Sequence, residues 1–175
     1  TAPSADEPIL QLYTSGTTGN PKGAQLSNHN LFSLRKPSLE ENLPWQNFEP
    51  TDCILGAMPV AHIGGTGVAA IAGSNGVRIH VLPEFTPDGT LEAIESGATL
   101  LFLVPAAIQM MIQHPKAPET DFSGLRYLMY GAAPMPLELL KEAVKTMPDT
   151  GFMQVYGMTE TTGTVSLLPP EDHDL

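Results

Sequence analysis

Short apolar runs alternate with amphipathic stretches along most of this chain. That alternation predicts an α/β fold with a layered, largely parallel sheet flanked by helices. Ile9–Tyr13 reads as a strand. Ser27 is placed to cap a helix running to about Arg35, and Pro37 to stop it. Residues 37–50, rich in proline and asparagine and carrying Trp45 and Phe48, read as a loop. Cys53–Met58 and Val77–Leu82 are further apolar runs. Thr86-Pro87 opens a helix through Leu91 and Ile94 that Gly97 closes. Thr99–Val104 is a near-continuous apolar run, the pattern of a strand buried on both faces. Pro105 starts a helix through Ile108, Met111 and Ile112 that ends at Pro115. Leu125–Tyr130 reads as a strand, and Phe152–Tyr156 and Thr164–Leu168 complete the set. The cleanest helical stripe is Leu137, Leu140, Ala143, Val144 and Met147, with Glu138, Lys141, Glu142 and Lys145 opposite.

Composition narrows the class. The 175 residues suffice for one domain with a real core, and 42% hydrophobic against 15% charged residues fits a globular chain. Eight basic against 19 acidic residues give a net charge of −11, so no basic face for nucleic acid can be assembled. A bound nucleotide stays open, because backbone dipoles hold phosphate even in an acidic protein. The single cysteine, Cys53, excludes an intrachain disulfide and a multi-cysteine metal site, and points to a reducing, cytoplasmic setting. Thr1 to Pro8 is polar and acidic, unlike a signal peptide. The longest apolar candidate, Val60–Gly73, is too short for a membrane span and is broken by glycines and His62. The absence of an initiating methionine leads us to expect a piece of a longer chain.

Several expected strands end in loops of unusual composition, at the edge where open α/β sheets bind ligands. Residues 12–23 read L-Y-T-S-G-T-T-G-N-P-K-G. Glycine lets successive N–H groups turn toward an anion, Ser15, Thr17 and Thr18 add hydroxyl donors, and Lys22 adds a mobile charge. The spacing is not Walker A, since only Asn20 and Pro21 separate Gly19 from the lysine, and Gly23 follows it. Gly131-Ala132-Ala133-Pro134 would let a flat ring approach the backbone, although a tight turn into the next helix needs small residues anyway, and that simpler account is favoured for the segment alone. Gln154-Val155-Tyr156-Gly157-Met158-Thr159-Glu160 places an aromatic face, a glycine, a hydroxyl and a carboxylate together, suited to a base, a phosphate oxygen and Mg²⁺. The competing reading is a core tyrosine followed by a polar hairpin. A lone histidine such as His62, among apolar residues, is more often a satisfied core group than a catalyst. His29, His80, His114 and His173 show no metal-ligand spacing, and Met110, Met111, Met147 and Met153 read as core filling.

Together these loops resemble the adenylate-forming superfamily of acyl- and aryl-CoA synthetases, peptide-synthetase adenylation domains and firefly luciferase. Y-T-S-G-T-T-G-N-P-K-G at 13–23, G-A-A-P at 131–134 and Y-G-M-T-E at 156–160 occur in the family's order, and the His62 segment fits a fourth, weaker motif. The style of 59–65 and 127–136 is most similar to bacterial ligases of fatty or related hydrophobic acids. The resemblance spans essentially all 175 residues and implies a partial AMP-binding domain, the middle of the family's large N-terminal domain. The family's ribose-holding aspartate, hinge and mobile C-terminal domain with its catalytic lysine would lie outside these residues.

By position, the resemblance implies that Thr14, Ser15, Gly16, Thr17, Thr18, Gly19 and Lys22 hold the β- and γ-phosphates of ATP. Gly131, Ala132 and Ala133 would line the adenine slot and border the acyl pocket, Tyr156 would stack on adenine before Gly157, and Gln154 would supply a polar edge. Thr159 would bond the α-phosphate, Glu160 would coordinate Mg²⁺, and His62 would sit near the reacting carboxylate. The implied activity is that of an acid–thiol ligase: a carboxylic acid becomes an acyl-adenylate and then passes to coenzyme A. A carrier-protein thiol is the alternative acceptor. The 175-residue chain alone is expected to be at most an inactive nucleotide-binding module, self-associating through exposed apolar surface and strand edges.

Overall fold

The apolar runs assemble into a six-stranded sheet whose helices return the chain from one end of each strand to the start of the next. The computed structural model describes residues 4–16, 19–33, 35–41 and 43–173. A hairpin of β1 (Pro8–Thr14) and β2 (Lys22–Ser27) comes first, followed by α1 (Asn28–Phe32) and α2 (Arg35–Glu40). Then come β3 (Cys53–Gly56), α3 (Ile63–Asn75), β4 (Arg78–Val81), α4 (Pro87–Glu95), β5 (Leu100–Leu103) and α5 (Pro105–Ile112). β6 (Tyr127–Gly131), α6 (Leu137–Thr146), β7 (Gly151–Tyr156) and β8 (Ser166–Leu168) follow. The large sheet has the order β4-β3-β5-β6-β7-β8, parallel except for β8, which runs antiparallel to β7.

The period-2 alternation of β5 sorts the core. Leu101 and Leu103 face the layer of α4, α5 and α6 with Leu91, Ile108, Met111, Leu140 and Ala143. Leu100 and Phe102 face the other side, where Ile54 of β3 meets Val68 and Ala72 of α3. The central strand is thus buried on both faces, as its unbroken apolar run demands. Thr86 caps α4 by accepting a hydrogen bond from the Gly89 N–H at 3.1 Å.

One expected helix is corrected, the expected loop at 37–50 begins inside α2, and two further elements carry no pattern of their own in the sequence. The helix expected from Ser27 to Arg35 is two helices. Ser27 and Asn30 form a reciprocal cap on α1, which ends at Phe32, and Pro37 lies inside the first turn of α2 instead of ending a helix. Proline is tolerated there because first-turn N–H groups have no intrahelical acceptor. β2 has too few apolar positions to show a strand pattern, and its form comes from pairing with β1, Leu12 opposite Ala24 and Leu10 opposite Leu26. α3 is glycine-rich and has no apolar stripe in sequence, yet it is a 13-residue helix closed by Gly76. Packing of Val68 and Ala72 on the sheet fixes it.

At the amino end of the sheet, Asp52 ties three strands together. Its side chain is 1% exposed. It accepts hydrogen bonds from the Thr99 hydroxyl at 2.7 Å, the Glu49 N–H at 2.7 Å and the Arg126 guanidinium at 2.5 Å. These groups sit where β3, β5 and β6 begin.

Candidate functional site

The opposite, carboxyl end of the sheet gathers the loops singled out by sequence. β6 and β7 pair in parallel with Tyr130 opposite Gln154 and Gly131 opposite Val155. Gly131-Ala132-Ala133 and Tyr156-Gly157 therefore leave adjacent strands side by side. Ala132 and Ala133 are exposed, and Ala132 holds a left-handed φ of 65°, a conformation that costs a non-glycine residue about 1 kcal/mol or more. Tyr156 is 62% exposed. It is therefore not the core tyrosine of the competing reading, although the hairpin half of that reading is right: β7 turns into antiparallel β8 with Tyr156 opposite Ser166.

The turn between them, Thr159–Thr161, is stitched by Thr161. Its hydroxyl accepts from the Met158 N–H at 3.1 Å and lies 3.0 Å from the Met158 carbonyl oxygen. This fixes the stretch that presents Thr159 and Glu160. The sequence motif contains both residues, and the bond between them follows the capping spacing of a hydroxyl three residues after the turn's start.

The β1–β2 hairpin reaches the same place. Thr14 and Lys22 face each other in its register. The Thr14 hydroxyl lies 3.3 Å from Glu160 Oε1, across 146 residues of sequence. Thr14, Ser15, Gly16 and Lys22 from the hairpin and Met158, Thr159 and Glu160 from the β7 loop line one open cleft of about 460 Å³. Gly19 is exposed with φ 87°. Thr17 and Thr18 lie outside the described residues.

Gly16 has φ 64°, and a Cβ there would stand 2.5 Å from the Asn20 carbonyl oxygen. Gly16→Ala is therefore expected to strain the turn and to cost about 1–2 kcal/mol of stability. Urea unfolding checks this, and unchanged stability would show that the turn does not need glycine.

His62 is exposed, so the core-histidine account fails for it. It stands at the N-cap of α3. The next residue, Ile63, packs against Gly163 of the β7–β8 loop, where an added Cβ would lie 3.0 Å from Ile63 Cγ1. The structure thus brings the His62 turn beside the loop that carries Glu160, outside the cleft lining itself.

The donors in the cleft are oxygens: the Glu160 carboxylate and the hydroxyls of Thr14, Ser15 and Thr159. Among the described residues no cluster of three His, Cys, Asp or Glu side chains could hold a metal by itself. One carboxylate with hydroxyls suits a hard cation such as Mg²⁺ that takes its remaining ligands from water and phosphate. Among the described residues no helix is long and apolar enough to cross a membrane.

The family model described as AMP-binding enzyme matches residues 1–175. A fatty acid–[acyl-carrier-protein] ligase, ScoC, of Streptomyces coeruleorubidus is 37% identical over 169 residues, 96% of this chain and 32% of that protein. An indoleacetate–CoA ligase of Aromatoleum aromaticum is 36% identical over 94% of this chain and 32% of its own length. The inhibitor-bound N-terminal domain of FACL13 from Mycobacterium tuberculosis superposes with a TM-score of 0.81 at 27% identity, covering 97% of this chain and 42% of that one. The chain spans about a third of the length of the curated relatives it matches.

Proposed function

This chain belongs to the AMP-binding enzyme family, and on that premise we propose that it carries the phosphate- and nucleotide-binding part of an ATP-dependent acyl-CoA ligase. The substrate is a fatty or other hydrophobic carboxylic acid. One observation carries the reading: hydroxyls, a lysine and a carboxylate from two loops far apart in sequence line a single open cleft. That set meets the demand of adenylate formation, in which a carboxylate oxygen bonds to the α-phosphorus of ATP and the bond to pyrophosphate breaks. A thiol then attacks the acyl carbon, and AMP leaves. Both steps need positioning and neutralisation of spreading negative charge, with no protein nucleophile.

In this reading Thr14, Ser15, Gly16, Thr17, Thr18, Gly19 and Lys22 hold the β- and γ-phosphates, and Thr159 donates to the α-phosphate. Gly131, Ala132, Ala133, Gln154, Tyr156 and Gly157 form the adenine slot, with the exposed Tyr156 ring as its stacking face. His62 faces the reacting acid. Glu160 would hold Mg²⁺, which when bound neutralises phosphate charge. The cytoplasm is the compartment proposed, where a buried free thiol such as Cys53 persists.

The test is acid-dependent exchange of pyrophosphate into ATP by the full-length protein. Lys22→Ala is expected to slow exchange by about tenfold or more while the melting temperature holds, because Lys22 is exposed. If only stability falls and activity per folded molecule is kept, the loop is structural. A carrier-protein thiol is the second reading, favoured by the name of the Streptomyces relative. Parallel assays with coenzyme A and with a phosphopantetheine-bearing carrier protein separate the two acceptors.

A further inference from the structure

The turn that carries His62 is held by hydrogen bonds, one of them from a side chain. Val60 is 71% exposed, and Ala61 and His62 are exposed too, so burial does little to define it. Hydrogen bonds define it instead. The His62 N–H donates to the Pro59 carbonyl at 3.1 Å, and the His62 carbonyl accepts from the N–H groups of Gly65 and Thr66 at 3.1 Å each. The shortest bond is from the Thr66 hydroxyl to the Val60 carbonyl, 2.7 Å. A Cβ at Gly65 would collide with the carbonyl oxygens of Met58 and Pro59, so the turn lies directly on the first turn of α3.

The direction of that hydroxyl is unusual. A helical threonine commonly returns its hydroxyl to the carbonyl three or four residues back, within its own helix. Thr66 reaches six residues back, past the helix start, to the apex of the turn. Its branched Cβ restricts χ1, so the anchor is stiff. The carbonyl it holds lies two residues before His62.

We infer that Thr66 is a positioning residue: its hydroxyl clamps the Val60 carbonyl and so sets where His62 stands beside the loop that carries Glu160. This rests on the proposed role of His62 toward the acid. The clamp acts on the acid end of the site. The phosphate cleft is lined by other elements, so ATP binding should not feel its loss.

The experiment compares Thr66→Val, Thr66→Ser, His62→Ala and the Thr66→Val/His62→Ala double variant of the full-length protein. Exchange rates are measured against acid and ATP concentrations, with melting temperatures. Thr66→Val should lower kcat/KM for the acid by about tenfold while KM for ATP and the melting temperature hold, and Thr66→Ser should restore it. The double variant should be no worse than His62→Ala, because Thr66 acts through His62. Wild-type acid kinetics in Thr66→Val alongside an impaired His62→Ala would overturn the clamp and leave the role of His62 standing. So would additive losses, or a loss shared equally by acid and ATP with a lowered melting temperature. An unimpaired His62→Ala would remove the role of His62 and the clamp with it, leaving the phosphate cleft to be judged by Lys22→Ala.

Discussion

Glu160→Gln in the full-length protein is expected to keep the fold and to lose adenylate formation by roughly 10²–10³-fold. The side chain is exposed, and its bond with the Thr14 hydroxyl, at 3.3 Å, is longer than the usual O–H···O distance of about 2.7–2.8 Å. Such a contact adds little stability, and an exposed substitution of this kind stays within about ±0.5 kcal/mol. The amide keeps the shape of the carboxylate, so the 159–161 turn has no reason to move. What disappears is the negative charge that the cleft offers to a hard cation beside the phosphates. Pyrophosphate exchange at saturating Mg²⁺ reads the loss, and the melting temperature reads the fold. Full activity would remove Glu160 from the site, and a parallel collapse in melting temperature would make it a structural residue.

Asp52→Ala is expected to produce the largest loss of stability, about 3 kcal/mol from a range of about 3–5 for breaking a buried pair. The lower end applies because the Arg126 side chain retains 28% exposure and water can take over part of the lost contact. For a chain of this size the melting temperature should fall by about 2–4 °C per kcal/mol. Arg126 and the Thr99 hydroxyl both lose an acceptor, and three strand starts lose their common tie.

The same carboxyl gives stability a pH dependence of known sign. Burial pushes it up, but the Glu49 N–H, the Thr99 hydroxyl and Arg126 outweigh burial and hold it below its ordinary value. The unfolded chain therefore takes up the proton more readily than the folded one. The stabilisation is complete above the unfolded value of about 4 and is lost as pH falls through the lower folded value. Urea unfolding of the wild type and Asp52→Asn should show a gap that is level at higher pH and narrows as pH falls below about 4. A gap independent of pH would show that the carboxylate charge contributes nothing.

The inner parallel strands were legible because they are runs of apolar residues whose burial the sheet interior requires, Thr99–Val104 most clearly, whereas the edge strand β4 is mostly exposed. Helices α4, α5 and α6 were legible from their apolar stripes, with Thr86-Pro87 and Pro105 as local starts, although in α6 Leu137 of the expected stripe is exposed and Leu139 takes the buried place. β2 and α3 were not, because neither Lys22–Ser27 nor Ile63–Asn75 carries a periodic pattern of its own. Their form comes from β1 in one case and from the sheet face in the other. Asp52 looked like any loop aspartate, since nothing near it in sequence announces Thr99 or Arg126.

The sequence by itself determined the chemistry available: a glycine- and hydroxyl-rich turn with one lysine, a small-residue turn, and an aromatic–hydroxyl–carboxylate loop, each a property of residues within a few bonds of one another. Only the tertiary structure decided which of these share a space. It set Thr14 and Lys22 against Thr159 and Glu160 in one cleft, turned Tyr156 and His62 outward instead of into the core, and gave the His62 turn to Thr66 to hold. The physical reason is that such meetings depend on the order and direction of strands. That order follows from which apolar faces pack best together, a property of the whole chain and of no single stretch of it.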